Sequence, residues 1–130
     1  MVHKYMRTNL TQPVYHILLL LTDGCIHDMR VTIDMIVKCS VMPLSIIIVG
    51  IGDADFSAME TLDSDEIDLV DGRQKPMERD IVQFVRLNDF RDPEGKTDVD
   101  ALAEAVLGEV PEQLVDYMGY MELLPGHEAI

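Results

Sequence analysis

Tryptophan is absent from the 130 residues, and aromatic side chains make up only 5% of them. Any core must therefore be built from aliphatic side chains and from the 9 methionines, whose flexible thioethers fill irregular gaps. Basic residues are scarce too, with 10 Lys and Arg against 24 Asp and Glu and a formal net charge of -14. A field of that sign repels phosphate backbones, which argues against nucleic acid as a partner, and it opposes unaided binding to an anionic membrane. A locally bound divalent cation would reverse the sign.

Cysteine is limited to Cys25 and Cys39, in neither a Cys-x-x-Cys pair nor a zinc-type spacing. A reduced, cytoplasmic setting is the expectation, with Cys25 a packed thiol rather than a reactive one. The first 13 residues, MVHKYMRTNLTQP, hold no apolar segment of signal-peptide type, and no apolar run is long enough to span a bilayer. Neither export nor membrane insertion is expected.

What is present is a hydrophobic share of 48%, enough for one domain with a real core. Its centre is VYHILLLLTDG, Val14 to Gly24. Five consecutive apolar residues, Ile17 to Leu21, suit a strand buried on both faces of a parallel sheet. The run stops at Thr22, Asp23 and Gly24, placing a hydroxyl, a carboxylate and a flexible turn at the carboxyl end of the strand, where open α/β sheets bind ligands.

Residues 1–13 read as a polar segment, with 1–8 compatible with the tail of a helix. From Asp28 to Ser40, Met29, Ile33, Ile36 and Val37 share one helical face, with Asp28 as N-cap and Pro43 closing the connection. LSIIIV, Leu44 to Val49, is a second buried strand, so strand, helix and strand make a right-handed crossover. Gly50 and Gly52 form a tight turn. They are not a dinucleotide fingerprint, because Asp55 stands where a third glycine belongs. Asp53 is expected to cap a short helix carrying Phe56, Met59 and Leu62.

The acidic stretch Asp63 to Asp80 reads as a solvated loop with a small hairpin about Asp71 and Gly72. Ile67 breaks any calcium-loop spacing begun by Asp63 and Asp65. Ile81 to Val85 makes a third strand, and 86–95 a polar connection. Thr97 with Asp100 forms a capping-box variant opening a helix with the stripe Val99, Leu102, Ala103, Val106, Leu107 and Val110. Pro111 kinks that helix or starts a new turn through Leu114 to Met118, and residues 119–130 are expected to be loosely ordered.

Four segments, YHILLLLTDGCIHDM, MPLSIIIVGIGDADFSAMETLD, ERDIVQFVRLNDF and ALAEAVLGEVPEQLVDYM, resemble the von Willebrand factor A-like domain of copines over residues 14–118. The match falls on the carboxyl-terminal half of that domain. It implies an α/β fold: part of a doubly wound, Rossmann-like parallel sheet, with about three core strands and flanking helices. It also implies recruitment of protein partners in membrane signalling. Calcium-dependent phospholipid binding would belong to two preceding domains, and the full-length protein would lie in the cytoplasm and at the plasma membrane.

In the family a metal-ion-dependent adhesion site takes ligands from an Asp-x-Ser-x-Ser motif, a loop Thr and the Asp of Thr-Asp-Gly. Asp23 alone matches, so it is expected to be a metal ligand (Mg²⁺ or Ca²⁺) only in a full-length context and a turn residue otherwise. This segment by itself is expected to carry no cofactor. His27 and Asp28 lie close enough in sequence to line the same rim. In the complete domain the strand at 17–21 would lie centrally. Without the first half it is expected to be an exposed edge, open to pairing with a second copy.

Two other readings stand beside this one. The chain is a gene-model fragment with no activity of its own, or it is a small α/β hydrolase. Against the latter, Ser40, Ser45, Ser57 and Ser64 sit in no nucleophile-elbow context, and His16, His27 and His127 are isolated. No enzyme activity is expected.

Overall fold

The computed structural model describes residues 14–63 and 69–122. The expectations for residues 1–13, for Asp65, Ile67 and Ser64, and for 123–130 lie outside them. The order of elements is β1 (His16–Thr22), α1 (Met29–Cys39), β2 (Leu44–Gly50), α2 (Ser57–Leu62), β3 (Val82–Arg86), a 3₁₀ turn (Leu87–Phe90), α3 (Val99–Leu107) and α4 (Val110–Tyr120). The strands form one parallel sheet in the order β1-β2-β3, with His16 opposite Leu44, Thr22 opposite Gly50 and Ile46 opposite Val82. The architecture is the expected α/β one, a parallel sheet flanked by helices.

Both faces of β2 are covered. On one side Leu44, Ile46 and Ile48 pack with Val82 of β3, with Ile36 and Val37 of α1, and with Phe56, Met59 and Leu62 around α2. On the other, Ile47, Val49 and Val85 meet Leu87, Phe90, Ala105, Val106 and Val110. All seven residues of β2 are buried, as a continuous apolar run requires.

β1 is as apolar as β2 but lies at the edge, and none of its residues is fully buried. Leu18 packs into the first core, whereas Leu19 is 54% and Leu21 65% exposed, because the cluster on the far face of β2 includes no residue of β1. The exposed edge foreseen for this strand is what the fold contains.

The helix starts follow backbone chemistry more closely than sequence spacing. Asp28 caps α1, its Oδ1 accepting from Val31 N at 3.1 Å. Asp53 does not cap α2. That helix begins later, at Ser57, and Asp55 Oδ1 accepts from Ser57 N at 3.0 Å. Likewise Asp98, not Thr97 with Asp100, caps α3 through Ala101 N at 3.1 Å, since its extended backbone turns the carboxylate back onto the first turn.

The stripe expected from Val99 to Val110 is met in part. Val106 and Val110 pack against the sheet, joined by Ala105, while Val99, 67% exposed, Ala103 and Leu107 face outward. Pro111 begins α4 rather than kinking α3, its missing N–H costing nothing in the first turn, and α4 runs on to Tyr120. Residues 119 and 120 are therefore helical rather than loose.

Around Asp71, antiparallel pairing of Val70 with Pro76 and the bond from Met77 N to Leu69 O at 2.8 Å form the small hairpin.

A buried cation ties these layers together. Arg79, 8% exposed, precedes β3 and donates through Nη1 to Gln113 O at 3.0 Å and through Nη2 to Leu44 O at 2.9 Å and to Met42 O. Its guanidinium carbon lies 5.2 Å from the centroid of the Tyr117 ring and 5.9 Å from that of Tyr15. Beside it, Ser45 Oγ donates to Gln113 Oε1, so Tyr15 Oη, 2.6 Å from Ser45 Oγ, is the donor to that hydroxyl. Burial pushes the Tyr117 phenol up from its ordinary range, with Arg79 opposing the shift.

Candidate functional site

The carboxyl ends of the three strands form a rim of loops. Ile51 N donates to Thr22 O at 2.7 Å, so the turn after β2 is held against the end of β1. Gly24 N reaches Thr22 Oγ1 at 3.4 Å, which shapes the Thr22-Asp23-Gly24 turn and leaves Asp23 exposed. Gly50 is required by close approach, since a Cβ there would sit 2.9 Å from the buried Phe56 ring, and Gly52 turns the chain at φ +88°. The two glycines thus make the expected tight turn.

Most carboxylates on the rim already have a role. Asp28 caps α1, Asp55 Oδ1 accepts from Ser57 N just ahead of α2, and Asp53 Oδ1 accepts from Asn88 Nδ2 at 2.8 Å. The same Asn88 amide donates to Gly52 O at 2.9 Å, clamping the β2 loop to the 3₁₀ turn after β3. The Ser57 backbone N–H, its hydroxyl and then Arg86 hold Asp55 below the usual carboxylate range. Arg86 also pairs with Glu60. Asp23 makes no side-chain hydrogen bond or ion pair among the described residues. His27 is exposed near it in the chain, and Asp28 faces α1 as its cap.

A protein-family model described as Copine matches residues 1–126. The chain belongs to the copine family. For a copine, a divalent cation beside Asp23 is the ligand to test against these residues. They do not make a site by themselves. Mg²⁺ requires near-octahedral oxygen coordination, whereas Asp28, Asp53 and Asp55 are committed to N–H donors. No group of three or more His, Cys, Asp or Glu side chains that could hold a metal occurs among the described residues. Asp23 is left as a single candidate ligand.

The rim also holds a correction. Cys25 follows the turn and is exposed rather than packed, while Cys39 is the buried thiol and burial pushes its pKa up. Cys25 is expected to react with a disulfide reagent in the folded copine domain and Cys39 only after unfolding. Two thiols reacting at one rate in the native protein would contradict this.

The role of Asn88 left no signal in the sequence, Arg79 appears there only as a cation shortly before a buried strand, and Asp55 only as the residue that breaks a glycine fingerprint.

Proposed function

We propose that this copine domain is a binding module for other proteins, serving calcium-linked membrane signalling on the cytoplasmic side of the plasma membrane as part of a longer chain. The observation that supports the reading is the apolar flank of β1. Ile17, Leu19 and Leu21 are exposed on one face. On the other, Leu20, Ile26, Val31 and Met35 line a cleft of about 630 Å³ against α1. Contiguous aliphatic surface beside an open strand edge is matched by protein, either a partner strand or a second copy of this chain.

The net charge of -14 disfavours nucleic acid and direct lipid contact. Membrane association is therefore assigned to calcium-dependent lipid-binding domains of the kind the family carries before this one. No helix among the described residues is long and apolar enough to cross a membrane. Catalysis is not part of the reading. Ser40 and Ser45 are buried, with hydroxyls committed to Val37 O and Gln113 Oε1.

Calorimetric titration of Mg²⁺, Mn²⁺ and Ca²⁺ into the chain and into Asp23→Ala tests the cation assignment. Sedimentation with phosphatidylserine vesicles tests the lipid one. The expected outcome is no saturable heat from either protein and no calcium-dependent pelleting. Saturable heat lost in Asp23→Ala would replace the single-ligand account with a complete cation site. Pelleting with calcium would give lipid contact to this domain itself.

A further inference from the structure

Cations are few in this chain, and four of the ten line one groove. It is open, about 800 Å³ in volume, and runs between α1, which supplies Arg30 and Lys38, and the hairpin about Asp71, which supplies Arg73 and Lys75. Val37 and Met42 contribute its floor. The positions used on α1 differ from Val31 and Met35, which face the cleft beside β1, so the two surfaces lie on different sides of the helix.

Two carboxylates share the groove, and backbone donors occupy both. Asp34 Oδ1 accepts from Gly72 N at 2.8 Å, fastening the hairpin to the helix. Asp71 Oδ1 accepts from Arg73 N at 2.8 Å and Lys75 N at 2.9 Å, which holds its carboxyl below the usual range and fixes the turn. The Arg30 guanidinium lies along Gly72, where an added Cβ would be 3.2 Å from Nη2. Among the described residues the one ion pair is Arg86 with Glu60, outside the groove, and within it the Arg73 and Lys75 side chains act on Asp71 through their charge alone.

In a chain with 24 acidic residues, four cations beside two carboxylates that backbone N–H groups already occupy give this groove a local charge opposite to that of the domain. We propose that the groove binds an acidic peptide segment of a partner protein, with phosphoserine or glutamate side chains meeting the cations and apolar residues between them resting on Val37 and Met42. A narrow extended segment meets the groove alone, whereas a flat anionic bilayer faces the charge of the entire domain. The inference rests on the reading of the chain as a protein-binding module, at a surface separate from β1.

The test is fluorescence anisotropy with a labelled peptide alternating leucine and phosphoserine, beside its unphosphorylated version and phosphatidylserine vesicles. Saturable, salt-sensitive binding of the phosphopeptide is expected, weakened about tenfold by Arg73→Glu and by Lys75→Glu. Lys96→Glu, an exposed reversal outside the groove, is expected to leave it unchanged. Both hairpin residues are exposed and their turn is made by backbone N–H groups, so the variants keep the fold, which a thermal melt verifies.

Absence of saturable binding up to about 1 mM would overturn the proposal, at which point the interaction is worth less than about 4 kcal/mol. Equal weakening by Lys96→Glu or equal binding of the unphosphorylated peptide would also overturn it. Binding to vesicles that is lost in Lys75→Glu would assign the groove to lipid headgroups instead. A negative result here alongside β1-dependent association would remove the groove and leave the protein-binding reading in place.

Discussion

Replacement of Arg79 by methionine is expected to lower folding stability by about 3 kcal/mol or more. The methionine keeps much of the stem's packing but removes three charge-assisted bonds, to Met42 O, Leu44 O and Gln113 O; Met42 O still accepts from Leu44 N at 2.8 Å, whereas Leu44 O loses the guanidinium donor. Each unsatisfied buried group costs about 1 to 3 kcal/mol, against a domain total of about 5 to 15. The stacked Tyr117 ring adds a smaller loss. Arg79→Lys keeps the charge without the planar fork and is expected to fall between the two. Urea unfolding is the measurement, and a loss in Arg79→Met below about 1 kcal/mol would mean that Arg79 is a passenger rather than a tie between layers.

The second large effect is a contrast between neighbouring strands. Ile47 and Leu19 are paired across β1 and β2, yet Ile47 is 2% exposed and Leu19 54%. Ile47→Ala is expected to cost about 2 to 5 kcal/mol through lost transfer energy and a cavity. Leu19→Ala is expected to cost less than about 1 kcal/mol, because much of the side chain already lies in water. Leu19→Lys should reduce self-association, since a charge at a strand edge opposes pairing with another chain. Melting and light scattering over a range of concentrations check all three. A large loss for Leu19→Ala in a monomer would show that the β1 face is covered, and a concentration-independent monomer mass would count against pairing through this edge.

The strands and α1 were legible in the sequence because each is declared by several signals at once. LSIIIV is apolar, β-branched and bounded by Pro43 and Gly50. Asp28 precedes a helical stripe that ends at a basic last turn. The helix starts at Ser57 and Val99 were less legible, since Asp53, Asp55, Thr97, Asp98 and Asp100 are all competent caps by type. Backbone conformation selects among them, and composition does not report it.

At the rim, the sequence located Asp23 at the end of β1 through the Thr-Asp-Gly turn. It missed Asn88, whose clamp joins residues 35 and 36 positions apart. The exposure of Cys25 was missed for a similar reason, as a thiol's average burial says little about one that follows a turn at an open edge. The grouping of Arg30 and Lys38 with Arg73 and Lys75 is tertiary too, created when the hairpin folds back over α1.

The hydrogen bonds of β1 divide it along its length. His16 N donates to Pro43 O at 2.7 Å, and Thr22 O accepts from Ile51 N, so in this parallel register the even-numbered residues direct both backbone groups toward β2. The odd-numbered residues, Ile17, Leu19 and Leu21, direct theirs to the open side. The amides of β1 therefore belong to two populations, one locked in the ladder and one free to exchange its protons with solvent. Detaching β1 breaks only one ladder, whereas detaching β2 breaks two. On warming, the sheet is set to loosen from the β1 side inward, and the turn that carries Asp23 is attached to the first strand to leave.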